Sequence, residues 1–172
     1  SPAHIALFPH CRLSEDTRAK GEWETTAGIV YDPILDDMFW AERGRGAWLE
    51  NSRLRVSTRK EDVLLSTTSP RKSRKNFEEA LAAFSRVATS GATIRCSGSA
   101  ALDLAYVAAG RLDGIWYQRL NAWDMLAGAL LVTEAGGMVT AVDGSPVMTD
   151  DRGSVLATNG AIHKTLHGLL AS

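Results

Sequence analysis

Trp123-Asp124 followed by Ala127-Gly128 sets one carboxylate at the start of an apolar-periodic run. An acid in the first turn of a helix sits among unpaired backbone N–H groups at the positive end of the dipole. Such a residue either helps to start the helix or faces a bound cation across the helix mouth. The same N–H groups can hold an anion. Ser97-Gly98-Ser99-Ala100-Ala101-Leu102-Asp103 is a second candidate, opening a helix after a strand. Gly98 lets the backbone approach a neighbour, and the free N–H groups that follow could bind an anion or a hydroxyl. A plain serine-capped helix accounts for the same residues. Asp32-Pro33-Ile34-Leu35-Asp36-Asp37 gathers acids in a turn, where paired carboxylates are solvated, so it reads as a hairpin turn and not a metal site. His163 and His167 stand at i, i+4 on a terminal helix and could chelate a metal, but no acid lies between or near them. They read as surface histidines. Arg71, Lys72, Arg74 and Lys75 form a basic cluster without interleaved aromatics, which reads as a solvated helix start.

The chain of 172 residues is 45% hydrophobic and 23% charged, as soluble globular domains are. Its net charge of -1 argues against a dedicated nucleic-acid binder. No apolar run reaches membrane-spanning length, and no basic-then-apolar leader opens the chain. Cys11 and Cys96 are far apart and read as two free thiols. A cytoplasmic location follows as the expectation.

The elements that must position these residues are legible in outline. His4–Phe8 reads as a short strand ended by Pro9, and the polar stretch from Arg12 to Glu22 as an exposed loop. Gly28–Tyr31 and Asp37–Ala41 form a hairpin around Asp32-Pro33, and a turn at Gly44-Arg45-Gly46 leads to a third strand whose partner is Arg53–Val56. From Glu61 onward strands alternate with helices. Val63–Ser66, Thr93–Arg95, Asp113–Tyr117, Met138–Ala141 and Ser154–Ala157 read as strands. A helix capped by Ser73 runs to about Val87 with Phe77, Leu81 and Phe84 on one face. A second runs from Ser99 to Ala109 and stops at Gly110. The Asp124 helix buries Ala127, Leu130 and Leu131 and ends at Gly136 in a left-handed cap. Ile162–Leu170 closes the chain as a short helix. The fold class is α/β, with antiparallel strands in residues 1–60 and a layered domain in residues 61–172.

Trp-Asp-x-x-Ala-Gly followed by Glu-Ala-Gly-Gly resembles the C-terminal signature of the inositol monophosphatase family, a set of magnesium-dependent phosphatases. Further segments share the resemblance: Gly28-Ile29-Val30-Tyr31-Asp32-Pro33, Arg43-Gly44-Arg45-Gly46-Ala47, Gly98-Ser99-Ala100-Ala101-Leu102 and Gly110-Arg111-Leu112-Asp113-Gly114. The resemblance implies that Asp124 is a metal ligand for Mg²⁺ and that Gly98, Ser99 and Ala100 contact substrate. Seven positions before the metal-binding Asp, relatives carry a Glu that contacts substrate hydroxyls, and Tyr117 occupies that place here. Tyrosine offers one hydrogen bond where a carboxylate offers two charged oxygens.

The same resemblance implies an inositol-monophosphatase-like fold, with residues 1–60 the remnant of a first domain and residues 61–172 a mixed sheet between helices. It implies a homodimer and hydrolysis of a small phosphorylated metabolite, an inositol phosphate or a similar sugar or nucleotide phosphate. The family's acidic Gly-Glu-Glu-like and Asp-Pro-x-Asp-Gly-Thr motifs are not found in this sequence. No catalytic residue is therefore assigned, and one carboxylate does not hold magnesium for catalysis. The expectation is a phosphatase-family chain with little or no activity by itself. The alternative is a non-catalytic binding or regulatory protein on the same fold.

Overall fold

The computed structural model describes residues 5–12, 24–72, 76–147 and 152–171. An antiparallel sheet comes first, with β1 (Ile5–Arg12), β2 (Glu24–Asp32), β3 (Asp37–Glu42), β4 (Gly46–Leu49) and β5 (Ser52–Arg53) in that spatial order. Side chains alternate across a pleated strand, so one face can be buried and the other left open. Val30, Phe39 and Ala41 are buried, whereas Ile29 and Met38 are exposed. The β2–β3 turn is the expected hairpin: Asp32 Oδ1 accepts from the N–H groups of Ile34 at 3.0 Å and Leu35 at 3.4 Å. Its acids are engaged within the protein, Asp32 by the Tyr106 hydroxyl at 2.9 Å and Asp37 by Arg111 at 3.0 Å.

Pro9 does not end the first strand, which continues to Arg12. The β1–β2 pairing shifts register between Leu7 and His10, and β1 is the edge of its sheet. Proline, lacking an N–H, is tolerated at edges and bulges. The loop expected after Arg12 falls at residues 13–23, outside the described residues.

The second sheet holds β6 (Leu64–Thr67), β7 (Thr93–Arg95), β8 (Gly114–Asn121), β9 (Met138–Thr140) and β10 (Arg152–Thr158) in the order β7-β6-β8-β10-β9. β6 pairs in parallel with β7 and β8, and β10 pairs antiparallel with β8 and β9. Four helices complete the described residues: α1 (Phe77–Thr89), α2 (Ala100–Ala108), α3 (Ala122–Glu134) and α4 (His163–Ala171). Alternation along β8 and β10 divides the core. Ile115, Tyr117, Val155 and Ala157 join α2, α3 and the first sheet, while Trp116 and Leu156 join Val87 of α1 and Leu166 of α4. The layers are therefore sheet, helix pair, sheet, helix pair, and the α/β class with a mixed sheet between helices holds. α1 starts at Phe77, with Ser73 outside the described residues. Its buried positions are Ala83 and Val87, and Leu81 is exposed. The inward face is therefore turned from the expected one toward Ala83 and Val87, with Phe84 still packed against the core.

α3 is enclosed on nearly every side, with Met125 to Gly128 and Leu130 to Val132 all buried. A Cβ on Gly28 would lie 2.8 Å from Ala127 Cα, and one on Gly128 would collide with Leu104 Cβ. Neither contact admits a side chain, since real Cβ atoms do not approach so closely. The helix ends as expected. Gly136, at φ +89, donates to Thr133 O at 3.0 Å, and Gly137 donates to Val132 O at 2.9 Å. This is the paired-bond cap that a left-handed glycine permits. Just before it, both Glu134 carboxylate oxygens accept at 2.9 Å from the N–H groups of Gly44 and Gly46 in the β3–β4 turn.

A second fixed point is Asp113, fully buried before β8. It accepts from the Ser57 hydroxyl, from Arg59 Nε at 2.9 Å and from Leu64 N–H at 2.7 Å. Asn159 adds bonds to the Ser57 hydroxyl and to Arg59 O. A buried carboxylate holds its place only when donors surround it, so the stretch linking the two sheets is fastened by one acid.

His163 is not a surface histidine. It is buried, with Thr140 Oγ1 at 3.1 Å from Nε2 and Thr158 Oγ1 at 3.0 Å from Nδ1. Both hydroxyls come from strands adjacent only after folding. Burial first, and the neighbouring His167 second, push its pKa below the usual 6.5. Unfolded chains then take up the proton before folded ones, so stability is lost as pH falls from 6.5 through the folded pKa. Thermal melts at about pH 7.5 and about pH 5.5 should show a smaller acid-induced drop in Tm for His163→Gln than for the parent chain. Separately, Glu134→Ala should lower unfolding stability by about 1 kcal/mol in denaturant titration, because it leaves the buried Gly46 N–H without its acceptor, while the exposed Gly44 N–H turns to water.

Candidate functional site

β6 and β8 run parallel, and a cleft of about 640 Å³ opens at their C-terminal ends. Clefts in α/β sheets form there because chains leave neighbouring strands in different directions. Thr67 and Arg71 line the cleft after β6, and Trp116, Tyr117 and Arg119 line it from β8. α1 contributes Phe77 and Phe84, α3 contributes Asp124, and β10 contributes Arg152.

The mouth of α3 is built by pairing. Arg152 lies opposite Asn121 in the β8–β10 register, and its Nε donates to Asn121 Oδ1 at 2.7 Å. Asn121 Nδ2 in turn donates to Asp124 Oδ2 at 3.3 Å. Asn121 makes no side-chain cap bond, so the first-turn N–H groups of α3 are not spent on it. Among the described residues Asp124 is the one acid lining the cleft, against Arg71, Arg119 and Arg152. Ion pairs among the described residues involve Arg43, Arg45, Arg59 and Arg111 instead. The cleft is therefore basic, and a helix N-terminus adds to its attraction for anions.

Tyr117 and Asp124 come together in this cleft, while Gly98, Ser99 and Ala100 do not line it. Ser99 is the N-cap of α2, its hydroxyl accepting from Leu102 N–H at 3.4 Å, which is the capping geometry. Tyr117 presents its ring to the cleft but sends its hydroxyl inward. That hydroxyl donates to Asp103 Oδ2 at 2.6 Å. Asp103 is almost wholly buried and also accepts from Ser66 at 2.6 Å and Ser97 at 2.7 Å. Burial first, then the Asp103 charge, hold the tyrosine pKa far above its usual range, so it stays a neutral donor. The cluster ties the Ser97–Ser99 turn to the cleft wall.

Sequence reasoning missed Asp103, Arg119 and Arg152. Arg119 lies in the strand leading to Asp124, which was a usable signal. Asp103 gave none beyond its place in a helix start, and Arg152 reaches the cleft only through strand pairing. Magnesium wants about six oxygen ligands, usually including one or two carboxylates and substrate phosphate. Among the described residues no group of three His, Cys, Asp or Glu could hold a metal ion. Asp124 among arginines does not fit a complete magnesium site. Arg71 and Lys72 are exposed, while Arg74 and Lys75 lie outside the described residues. Cys96 is a free, exposed thiol. No helix among the described residues is long and apolar enough to cross a membrane. Tyr117→Phe should cost about 1–2 kcal/mol of stability in thermal or urea unfolding, because buried Asp103 loses one of its donors.

Comparison with known proteins follows the same lines. The profile of the Inositol monophosphatase family matches residues 21–172. The Inositol-1-monophosphatase of Rhizobium meliloti is 42% identical over 165 residues, 95% of this chain and 61% of that protein. The Nus factor SuhB of Pseudomonas aeruginosa is 44% identical over 162 residues, 92% of this chain and 59% of that protein. Among solved structures, the extragenic suppressor protein suhB of Bartonella henselae superposes with a TM-score of 0.79 at 41% identity, covering 88% of this chain and 57% of that one. The chain thus spans about three fifths of the length of these relatives.

Proposed function

The chain belongs to the inositol monophosphatase family, and we propose that it holds the phosphate-binding part of a magnesium-dependent phosphomonoesterase site. The observation that carries this reading is the basic cleft at the mouth of α3, with Asp124 in its first turn. In it the α3 N–H groups, Arg119 and Arg152 bind the phosphate of a small phosphorylated metabolite. Asp124 serves as one ligand of a magnesium ion whose remaining ligands come from outside the described residues. Gly98, Ser99 and Ala100, at the start of α2 and outside the cleft lining, meet only a part of the substrate that extends beyond the cleft, while the ring of Tyr117 borders the phosphate. No catalytic step is assigned to this chain, because a single carboxylate cannot fix the metal that such hydrolysis needs. The same reading takes residues 1–60 as part of a first domain, residues 61–172 as the second, and the working protein as a cytoplasmic homodimer.

A non-catalytic binding or regulatory role on the same fold is the second reading. It is favoured by relatives named Nus factor SuhB that are as similar as those named phosphatase. Those names leave the expectation against a nucleic-acid partner without support, despite the net charge of -1.

Calorimetric titration of inorganic phosphate into the purified chain, with and without Mg²⁺, tests the reading. Saturable phosphate binding is expected, weakened at least about fivefold in Arg119→Ala. Mg²⁺ should strengthen it in the parent chain and not in Asp124→Asn, and turnover of a phosphate monoester should be negligible. Absence of phosphate binding overturns the reading. Phosphate binding that ignores both Mg²⁺ and Asp124 favours the non-catalytic role.

A further inference from the structure

The cleft has a second half that a small polyol phosphate does not need. Besides the arginines, the cleft is lined by the aromatic side chains of Phe77 and Phe84 of α1 and Trp116 of β8. Phe84 and Trp116 contact with ring centroids 6.4 Å apart. Beside that wall Asn76 Nδ2 donates to Gln118 Oε1 at 2.6 Å, and both residues line the same cleft. Two amides bonded to each other keep one carbonyl oxygen and one NH₂ group free. Exchanging the oxygen and nitrogen assignments of both leaves the same pair. One acceptor beside one donor is the complement of a nucleobase edge, such as the N6 amino group and N7 of adenine. Aromatic rings supply stacking surfaces for the face of a base, and the volume of about 640 Å³ suits a small-molecule ligand. The position equivalent to the family's polyol-contacting Glu is Tyr117, whose hydroxyl is already committed to Asp103. The wall therefore favours a flat apolar group over a ring of hydroxyls.

We propose that the ligand of this cleft is a nucleoside monophosphate, its base held between the Phe77–Phe84 wall and the Asn76–Gln118 amide pair, and its phosphate by Arg119, Arg152 and the α3 N-terminus. The inference rests on the phosphate site proposed above and adds the group esterified to it. AMP, ribose 5-phosphate and inorganic phosphate, titrated separately into the full chain, test it. AMP should bind at least about tenfold more tightly than ribose 5-phosphate, a gap that base stacking and edge bonding would supply. Phe77→Ala and Gln118→Ala should each shrink that gap while leaving ribose 5-phosphate affinity unchanged. Circular dichroism melts verify that both variants are folded. Equal affinity for AMP and ribose 5-phosphate overturns the nucleoside assignment and leaves the phosphate site standing. Failure of all three to bind removes the phosphate site as well. A 5′-phosphorylated triadenylate provides the remaining arm: tighter binding than AMP overturns a free mononucleotide in favour of a nucleic-acid end.

Discussion

Helix α3 is held so close to its surroundings that two contacts leave no room for a side chain. Gly28 of the first sheet meets the backbone of Ala127, and Gly128 meets Leu104 of α2. Interiors pack at crystal-like density, so such approaches leave no space for an added side chain. The helix consequently cannot slide or turn between the two sheets. Its first turn, with Asp124 and the free N–H groups, is delivered to one place at the ends of β6 and β8. The small residues of the Trp-Asp-x-x-Ala-Gly segment serve the packing, and the acid serves the mouth.

Both ends of α3 are joined to distant parts of the chain by polar bonds. At its C-terminus Glu134 holds the Gly44 and Gly46 N–H groups, so two segments that look independent in sequence are one contact in space. At its N-terminus Asn121 links Arg152 to Asp124. Two buried acids do comparable work nearby. Asp113 gathers the strand-linking segment, and Asp103 gathers the wall of the cleft. Each is surrounded by donors, as a buried carboxylate must be. The polar skeleton of the fold thus passes through acids that do not line the cleft, and the cleft lining among the described residues is basic.

That division bears on chemistry. A site that hydrolyses phosphate esters with magnesium needs clustered carboxylates to hold the metal and positive groups to hold the phosphate. The described residues supply the second of these and a single member of the first. The chain covers about three fifths of the length of its relatives, and its described cleft lining sets three arginines against one carboxylate.

Local patterns in the sequence settled much of this. The β2–β3 hairpin follows from Asp32-Pro33 between β-rich runs. The extent of α3 and its glycine cap follow from periodicity and from Gly136, and the α/β class follows from alternating strands and helices after residue 61. These are short-range effects, carried by turn chemistry and by the spacing of apolar residues. The family resemblance was equally legible, since it lies in contiguous motifs. What the sequence did not contain was any pairing between distant segments. Pro9 looked like a strand end because an edge bulge exists only once β1 has a partner. His163 looked exposed because the two threonines around it come from β9 and β10. Arg152 entered the cleft through its register with Asn121, and Tyr117 turned its hydroxyl away from the cleft because Asp103 waits behind it. Charge, burial and hydrogen bonding depend on which groups meet across the fold, and only the tertiary structure decides that.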